Sequence, residues 1–233
     1  MKPVAIFRHF GTEGPGYFAT YLDDHRIPWR LVKIDAGEPV PSDPGPYSGL
    51  VFMGGPMSVN DELPWIPRVL ALIGAAVKSN IPVLGHCLGG QLMSKALGGK
   101  VERNPVKEIG WGRVTVEASS QAREWFGDLR QFDSFHWHGE TFSIPPGAVR
   151  LAASPYCVNQ AFALGNHLGM QCHVEMTPEM IRTWCRGWRQ EGIVGRAPSV
   201  QTPAEMQMDL ARRVDTLNGV ARRVYDRWIR GLA

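Results

Sequence analysis

An apolar run that passes through a single cysteine directly into a helical pattern constrains the fold more than any other feature. Residues 81–91 read Ile-Pro-Val-Leu-Gly-His-Cys-Leu-Gly-Gly-Gln. Glycines stand two residues before and two residues after Cys87, which is the G-x-nucleophile-x-G pattern of a strand–turn–helix elbow. Such a turn leaves no room for bulky side chains, and the helix N-terminus beside the sulfur would stabilise a thiolate. A structural cysteine packed as a small apolar residue is the alternative.

The first hundred residues alternate between strand-like and helix-like segments. Residues 66–78 place apolar side chains at the spacing of one helix face, and residues 88–97 do the same after the elbow. This alternation with short connections predicts an α/β fold: a doubly wound, mostly parallel central sheet flanked by helices. The strand-like runs are Val4–Phe7, Trp29–Ile34, Leu50–Met53 and Ile81–Gly85.

The middle of the chain predicts a short antiparallel strand section. The turn Gly165-Asn166 between its last two runs is typical of a hairpin. A helix is then predicted to begin at Thr177 and Pro178, a capping residue followed by proline at the first helical position. The strand-like runs are Gly112–Glu117, Ala148–Ala153, Ala161–Leu164 and Gly169–His173, and the apolar stripe of the helix is Met180, Ile181, Trp184 and Trp188.

The C-terminal segment predicts one added helix. The motif Thr202-Pro203-Ala204-Glu205 combines a capping box with proline at the first helical position. Its apolar stripe is too continuous for an exposed helix, so we expect packing on the core or on a second copy of the chain. We therefore divide the chain into a main domain (1–190), a linker (191–202) and a helical extension (203–233). The stripe is Met206, Leu210, Val214, Leu217, Ala221, Val224 and Trp228.

Composition excludes several classes of partner. The net charge of +3 over 233 residues is too small to favour nucleic acid. No apolar run approaches the roughly 20 residues that cross a bilayer, and the N-terminal apolar stretch is too short for a signal peptide. The four cysteines form no CxxC pair and have no zinc spacing. We expect free thiols, a cytoplasmic location, and neither a nucleic-acid nor a membrane partner.

A histidine and an acid two positions apart end one of the predicted strands. Residues 169–175 read Gly-Met-Gln-Cys-His-Val-Glu. Residues i and i+2 of a strand point to one face, so Glu175 can hold one nitrogen of His173 while the other faces a nucleophile. Such a pair alone is common by chance. Together with Cys87, and at the edge of an α/β sheet where sites collect, it favours a catalytic triad of Cys87, His173 and Glu175.

A third segment runs from a strand into two glycines and a proline. Residues 51–58 read Val-Phe-Met-Gly-Gly-Pro-Met-Ser, a shape that exposes backbone N–H groups. With the N–H of Leu88, just past the elbow, the N–H of Gly55 would form an oxyanion hole. An ordinary turn at a strand end is the alternative.

These segments, with His136-Trp137-His138-Gly139-Glu140, resemble the class I (triad-type) glutamine amidotransferase family over about residues 4–180. The resemblance is strongest to free-standing members related to the amidotransferase domain of GMP synthase. It implies that Cys87 attacks the γ-carboxamide of glutamine, that His173 protonates the departing ammonia, and that water hydrolyses the thioester. It also implies no cofactor, a separate synthetase that accepts the ammonia, and a substrate pocket lined by Gln91, Met57, Trp137 and Gly139.

Two departures and one possible metal site qualify the resemblance. Val174 replaces a proline of many relatives, which suits a strand. Trp137 stands where relatives often have a small polar residue, so strict selectivity for glutamine is open. His136 and His138 share a strand face, but no further ligands of suitable spacing follow, so we expect no metal.

Two enzymatic functions stay open at this point. One is a glutaminase subunit that feeds a separate synthetase, with docking through the C-terminal helix. The other is a free-standing γ-glutamyl hydrolase or peptidase that uses the same triad. A non-catalytic binding module would predict a broken triad or a blocked elbow, and the sequence has neither. A homo-oligomer is compatible with each.

Overall fold

The computed structural model describes residues 1–187 and 197–232. Its strands are β1 (Val4–Arg8), β2 (Trp29–Lys33), β3 (Gly49–Phe52), β4 (Val83–His86), β5 (Val101–Val116), β6 (Gln131–Phe142), β7 (Val149–Ala153), β8 (Ala161–Leu164) and β9 (His167–Met170). Within the described residues they form one sheet in the order β2-β1-β3-β4-β9-β8-β7-β5-β6.

Five neighbouring strands, β2, β1, β3, β4 and β9, run parallel. Helices cover this part on both faces, which is why β1, β3 and β4 read as continuous apolar runs instead of alternating ones. Val4 and Ile6 of β1 pack on one side of the sheet, and Ala5 and Phe7 pack on the other. The predicted α/β fold is confirmed.

The antiparallel part is larger than the short runs in the sequence indicate. It contains β8, β7, β5 and β6, and β5 and β6 are the longest strands at 16 and 12 residues. The predicted run Gly112–Glu117 covers only the end of β5. The rest of β5 was missed because its exposed charged residues break any alternation, and its pairing with β6 shifts register between Arg103 and Glu108.

Seven α-helices complete the described residues. The helix α2 has the predicted bounds, and α3 begins at Leu88 as the elbow predicts. None of the helices in the described ranges has both the length and the apolar character needed to cross a bilayer. The helices are α1 (Tyr17–Asp24), α2 (Ile66–Lys78), α3 (Leu88–Ala96), α4 (Ser120–Phe126), α5 (Pro178–Gly187), α6 (Pro203–Gln207) and α7 (Leu210–Trp228).

The single C-terminal helix of the sequence analysis is divided into α6 and α7. The capping box of Thr202 and Glu205 is present, but it begins the short α6. The chain then breaks at Met208, which is extended, and Asp209, whose φ is +51°. Aspartate tolerates this left-handed conformation better than most residues do. Every residue of the predicted apolar stripe is nevertheless buried.

The predicted linker lies partly outside the described residues, which begin again at Ala197. Trp188 of the predicted α5 stripe lies outside them as well. Residues 199–201 run along β5: the N–H of Ile109 donates to Ser199 O (2.9 Å) and the N–H of Gln201 donates to Ile109 O (2.9 Å). The stripe of α7 joins the same apolar cluster as α1 and β6. The division into main domain, linker and extension stays a prediction.

Removal of the Trp228 side chain tests the packing of α7. Trp228 is fully buried and meets Phe18 of α1 edge-on, with ring centroids 5.7 Å apart. Trp228→Ala should lower the free energy of unfolding by about 3–5 kcal/mol, through lost burial and the cavity that remains. Exposed Arg223 on the same helix gives a matched control, since Arg223→Ala should change the free energy of unfolding by less than about 0.5 kcal/mol. Equal effects in urea unfolding would contradict this account.

A buried histidine makes stability depend on pH. Burial lowers the pKa of His167 to about 4, and its Nδ1 accepts a hydrogen bond from the N–H of Val83 (3.2 Å). Between the ordinary value of 6.5 and about 4 the unfolded chain binds more protons, so this contribution is complete above pH 6.5 and is lost as pH falls to about 4.

His167→Asn keeps a hydrogen-bond acceptor near this position and cannot titrate. We expect its Tm to fall less steeply than that of the wild type between about pH 6.5 and 4. The remaining slope should come from the other buried histidines whose pKa values burial lowers, which are His9 and His136, each to about 4, and His86. Parallel Tm curves for the two proteins would show that His167 does not contribute.

Candidate active site

Cys87 occupies a sharp turn between β4 and α3. Its backbone angles are φ +50° and ψ −108°, and its N–H donates to Met170 O of β9 (2.8 Å). A Cβ on Gly85 would collide with the backbone of Gly89, and a Cβ on Gly89 would collide with the carbonyl group of Phe52. The two glycines therefore permit the close approach that the elbow pattern predicts.

The cysteine side chain lies at a cleft and not in the apolar core. The cleft has a volume of about 930 Å³ and is lined by Cys87 among others. The sulfur Sγ lies 4.0 Å from Trp137 O and 3.5 Å from Nε2 of Gln171, which donates to it. The thiol thus has polar neighbours and an open side toward the cleft.

His173 and Glu175 follow β9 and meet Cys87 at the same sheet edge. His173 Nδ1 lies 2.7 Å from Glu175 Oε1, and the Cys87 side chain is close enough to the imidazole to raise its pKa. Trp184 of α5 packs edge-on against the imidazole, with ring centroids 5.0 Å apart. The structure therefore brings together the three groups that the sequence analysis selected.

Charge within this buried group shifts the pKa values in opposite directions. Burial acts to lower the pKa of His173, but the charges of Glu175 and Cys87 outweigh it and raise the value well above 6.5. Burial acts to raise the pKa of Glu175, but His86 and His173 outweigh it and bring the value to about 2. The arrangement favours an imidazolium beside an ionised carboxylate.

Distant segments fix the backbone of this pair. The N–H of His173 donates to Phe135 O of β6 (2.8 Å), and Ser134 Oγ donates to His173 O (3.1 Å). The N–H of Tyr17, at the start of α1, donates to Glu175 O (2.8 Å). The positions of His173 and Glu175 therefore depend on β6 and α1 as well as on β9.

Gly55 and Leu88 are neighbours beside the cysteine. A Cβ on Gly55 would lie only 2.8 Å from Leu88 Cδ2, and Gly55 lines the cleft. The next glycine back, Gly54, faces His173, since a Cβ there would lie 3.3 Å from His173 Cε1. Gly55 therefore lies next to Leu88, the residue that follows Cys87, while an oxyanion hole at Gly55 and Leu88 stays a prediction.

The predicted substrate-binding residues Gln91, Met57, Trp137 and Gly139 all line the cleft. Gln91 Nε2 donates to Gln171 Oε1 (3.1 Å), and Gln171 in turn donates to the Cys87 sulfur. The sequence analysis gave Gln171 no role. The available signal was its place two residues before His173, which puts both on one strand face.

Glu108 joins His136 and His138 beneath one wall of the cleft. The possible ligand atoms of these three buried residues all lie within 4.8 Å of one another. Spacing in the sequence does not show this group, because Glu108 comes from β5 and pairs directly opposite His138 across the β5–β6 ribbon. The expectation of no metal was based on the lack of such a third residue.

The buried Glu108 carboxylate has three close polar neighbours. It accepts hydrogen bonds from Ser154 Oγ (2.7 Å) and Gln160 Nε2 (2.7 Å), and Oε2 lies 3.0 Å from His138 Nε2. Burial acts to raise the pKa of Glu108, but the nearby histidines and Ser154 outweigh it and lower the value. These contacts join β5 to β6 and so support the wall that carries Trp137.

Comparison with known proteins identifies the family. The family model for class I glutamine amidotransferases matches residues 20–183. The chain is also 31% identical over 190 residues to the glutamine amidotransferase-like protein YfeJ of Salmonella typhimurium. The aligned region covers 78% of this chain and 80% of that one. The chain therefore belongs to the class I glutamine amidotransferase family.

Solved structures agree with this assignment over the whole length. A glutamine amidotransferase of Methylobacillus flagellatus is 46% identical, has a TM-score of 0.96, and the match covers 100% of this chain and 96% of that one. One from Thermotoga maritima is 26% identical with a TM-score of 0.86, over 98% of each chain.

A sequence relative, the GMP synthase of Ectopseudomonas mendocina, is 34% identical over 139 residues. The aligned region covers 55% of this chain but only 25% of that enzyme.

Selective labelling of thiols tests the environment of Cys87. All four cysteines are free and at most 8% exposed, so exposure alone does not distinguish them. Burial raises the pKa values of Cys157 and Cys185, and raises that of Cys172 to about 12. Cys87 differs from these three because it precedes the N-terminus of α3, lines the cleft and has His173 beside it.

Iodoacetamide at neutral pH should therefore alkylate Cys87 in the folded protein well before the other three. Peptide mass spectrometry at successive times measures the four rates. In denaturant the four rates should become similar, which is the control for intrinsic differences. Labelling of Cys87 no faster than of Cys185 in the folded protein would contradict the description of the elbow.

Proposed function

We propose that this protein is a glutaminase of the amidotransferase type, which releases ammonia from the side-chain amide of glutamine. The observation that carries the proposal is the contact of Cys87, at a strained elbow, with the His173–Glu175 pair at an open cleft. A nucleophile, a base and a group that orients the base are the parts that covalent acyl transfer needs. Family membership supports the same chemistry.

The reaction would proceed through a thioester. The Cys87 sulfur attacks the amide carbon, and the N–H groups of Gly55 and Leu88 hold the oxygen as it becomes negative. Collapse of this intermediate breaks the C–N bond, and His173 donates the proton that leaves with ammonia. His173 then takes a proton from water, which attacks the thioester and releases glutamate and the Cys87 thiolate.

The cleft residues would hold the amino-acid end of the substrate. Gln91, Met57, Trp137 and Gly139 line the space next to the sulfur, and Glu140 adds a carboxylate that accepts hydrogen bonds from Ser58 Oγ at 3.0 Å. A few fixed polar groups in such a cleft are sufficient to orient a small polar substrate.

A separate synthetase is the proposed acceptor of the ammonia. Several relatives are GMP synthases, and this chain matches only about a quarter of the length of the Ectopseudomonas enzyme. The four free thiols support a reducing, cytoplasmic location. Association with a second copy of the chain is compatible with this role.

A free-standing γ-glutamyl hydrolase is the second candidate. The cleft, of about 930 Å³, is lined also by Asn104, Lys107 and Thr183, beyond the predicted substrate-binding residues. The indole of Trp137 packs against Phe135 and Trp184, which makes this wall aromatic. Both observations favour substrates larger than glutamine.

Replacement of the nucleophile tests the proposed chemistry. Cys87→Ala should reduce ammonia release from glutamine by several orders of magnitude, because it removes the group that forms the thioester. Cys185→Ala, which removes another free thiol on α5, should retain activity and serves as the matched control. Glutamate dehydrogenase coupling measures the ammonia. Activity of Cys87→Ala close to that of the wild type would refute the assignment.

A substrate panel separates the two candidates. We expect kcat/KM for glutamine to exceed that for γ-glutamyl amides with larger substituents in the absence of any partner. The opposite order, with loss of both activities in Cys87→Ala, would favour the hydrolase. No turnover of any compound together with unlabelled Cys87 would favour a binding module.

A further inference from the structure

The carboxylate of Glu175 has a second imidazole on the side away from His173. His86, the last residue of β4, is fully buried, and its Nδ1 lies 3.2 Å from Glu175 Oε2. This contact is longer and less well aligned than the 2.7 Å contact between His173 and Oε1. The angle of this contact is too poor for a hydrogen bond, so His86 Nδ1 and Glu175 Oε2 face each other without a hydrogen-bond partner among the described residues.

The chemistry of these groups fixes where the protons lie. A carboxylate that is ionised only accepts hydrogen bonds, so His86 Nδ1 must carry a hydrogen to bond with it. Burial lowers the pKa of His86, which keeps the ring neutral. In a neutral imidazole the other nitrogen is an acceptor, so His86 Nε2 needs a donor.

Tyr225 of α7 provides that donor. Its hydroxyl oxygen lies 3.5 Å from His86 Nε2, and the two rings meet edge to face. Burial and the charge of Glu175 raise the pKa of Tyr225 well above 10, so the phenol keeps its proton. Phe18 of α1 packs on the Tyr225 ring with centroids 4.7 Å apart, which holds the ring in place.

We propose that His86 and Tyr225 are positioning residues, and that through them the C-terminal helix orients the carboxylate that holds His173. The proposal deepens the function proposed above and depends on its assignment of Cys87, His173 and Glu175. Close polar contacts run from Tyr225 to His86 and from His86 to Glu175, opposite to the bond from His173. Glu175 therefore lies between two imidazoles, and α7 is part of the active site instead of a separate extension.

Loss of the His86 donor should change how the site titrates. Glu175 faces His86 from β4, His173 and Cys172 from its own segment, and the hydroxyl of Tyr225 from α7. A carboxylate that loses a hydrogen-bond donor becomes easier to protonate. Once protonated at Oε1, Glu175 no longer accepts from His173, so activity should fall off at a higher pH than in the wild type.

Two substitutions of His86 separate the hydrogen bond from packing. His86→Leu removes both ring nitrogens, whereas His86→Asn places an amide N–H close to the former Nδ1. For His86→Leu we expect kcat for glutamine to fall about 10- to 100-fold with KM changed less than about threefold, a smaller loss than the roughly 10⁴-fold that follows impairment of a triad acid. The acidic limb of the activity–pH profile of His86→Leu should move to higher pH. His86→Asn should restore most of kcat and the wild-type limb.

A matched pair of tyrosine substitutions tests the role of α7. Tyr225→Phe removes the hydroxyl beside His86. Tyr21→Phe removes the hydroxyl of another buried tyrosine between α1 and α7, where Tyr21 donates to Asp226 Oδ1 (2.6 Å) away from the carboxylate. When the two variants lose the same amount of Tm, we expect a measurable fall in kcat for Tyr225→Phe and no fall for Tyr21→Phe.

The pH dependence of Cys87 alkylation by iodoacetamide tests the inference without a substrate. The pH profile of alkylation depends on the Cys87–His173 pair. The profile should therefore shift in His86→Leu and return to that of the wild type in His86→Asn. A wild-type protein that hydrolyses none of the γ-glutamyl compounds would refute the proposed function, while the alkylation profile would still decide this inference. Wild-type kcat and pH profiles in folded His86→Leu, or equal losses in the two tyrosine variants, would overturn it.

Discussion

The structure of the site depends on one backbone turn. Cys87 has a positive φ, which costs a non-glycine residue about 1–3 kcal/mol and persists only where the surroundings impose it. Here the bond from its N–H to Met170 and the close packing of Gly85 against Gly89 impose it. The turn lifts the sulfur out of β4 toward the cleft and begins α3 at Leu88, so the nucleophile and one proposed oxyanion donor come from the same feature.

Buried charge is the second organising element, and the protein keeps each charge in contact with a partner. Glu175 lies between His173 and His86, and Glu108 lies against His138 with two hydrogen-bond donors. An isolated carboxylate at this depth would be protonated or would destabilise the fold. The first group sets the state of the base, and the second supports the cleft wall.

The parallel and antiparallel parts of the sheet have different roles. Parallel strands β4 and β9 end side by side, so Cys87 and His173 meet at one edge although they are far apart in the chain. The antiparallel β6 holds the backbone of His173 through Phe135 and carries Trp137 to the cleft. The C-terminal helix closes the opposite side of this group, where Tyr225 reaches His86.

The local pattern was sufficient to predict the elbow, the alternation of strands and helices, and the pairing of His173 with Glu175, because each depends on neighbours within a few residues. The length of β5 and β6, the break at Asp209 and the contacts of Glu108 and Tyr225 were not predictable in this way. They arise between residues brought together only by the folded sheet, and Tyr225 meets His86 across 139 residues. Local spacing records which face a side chain occupies, whereas packing alone decides what lies opposite that face.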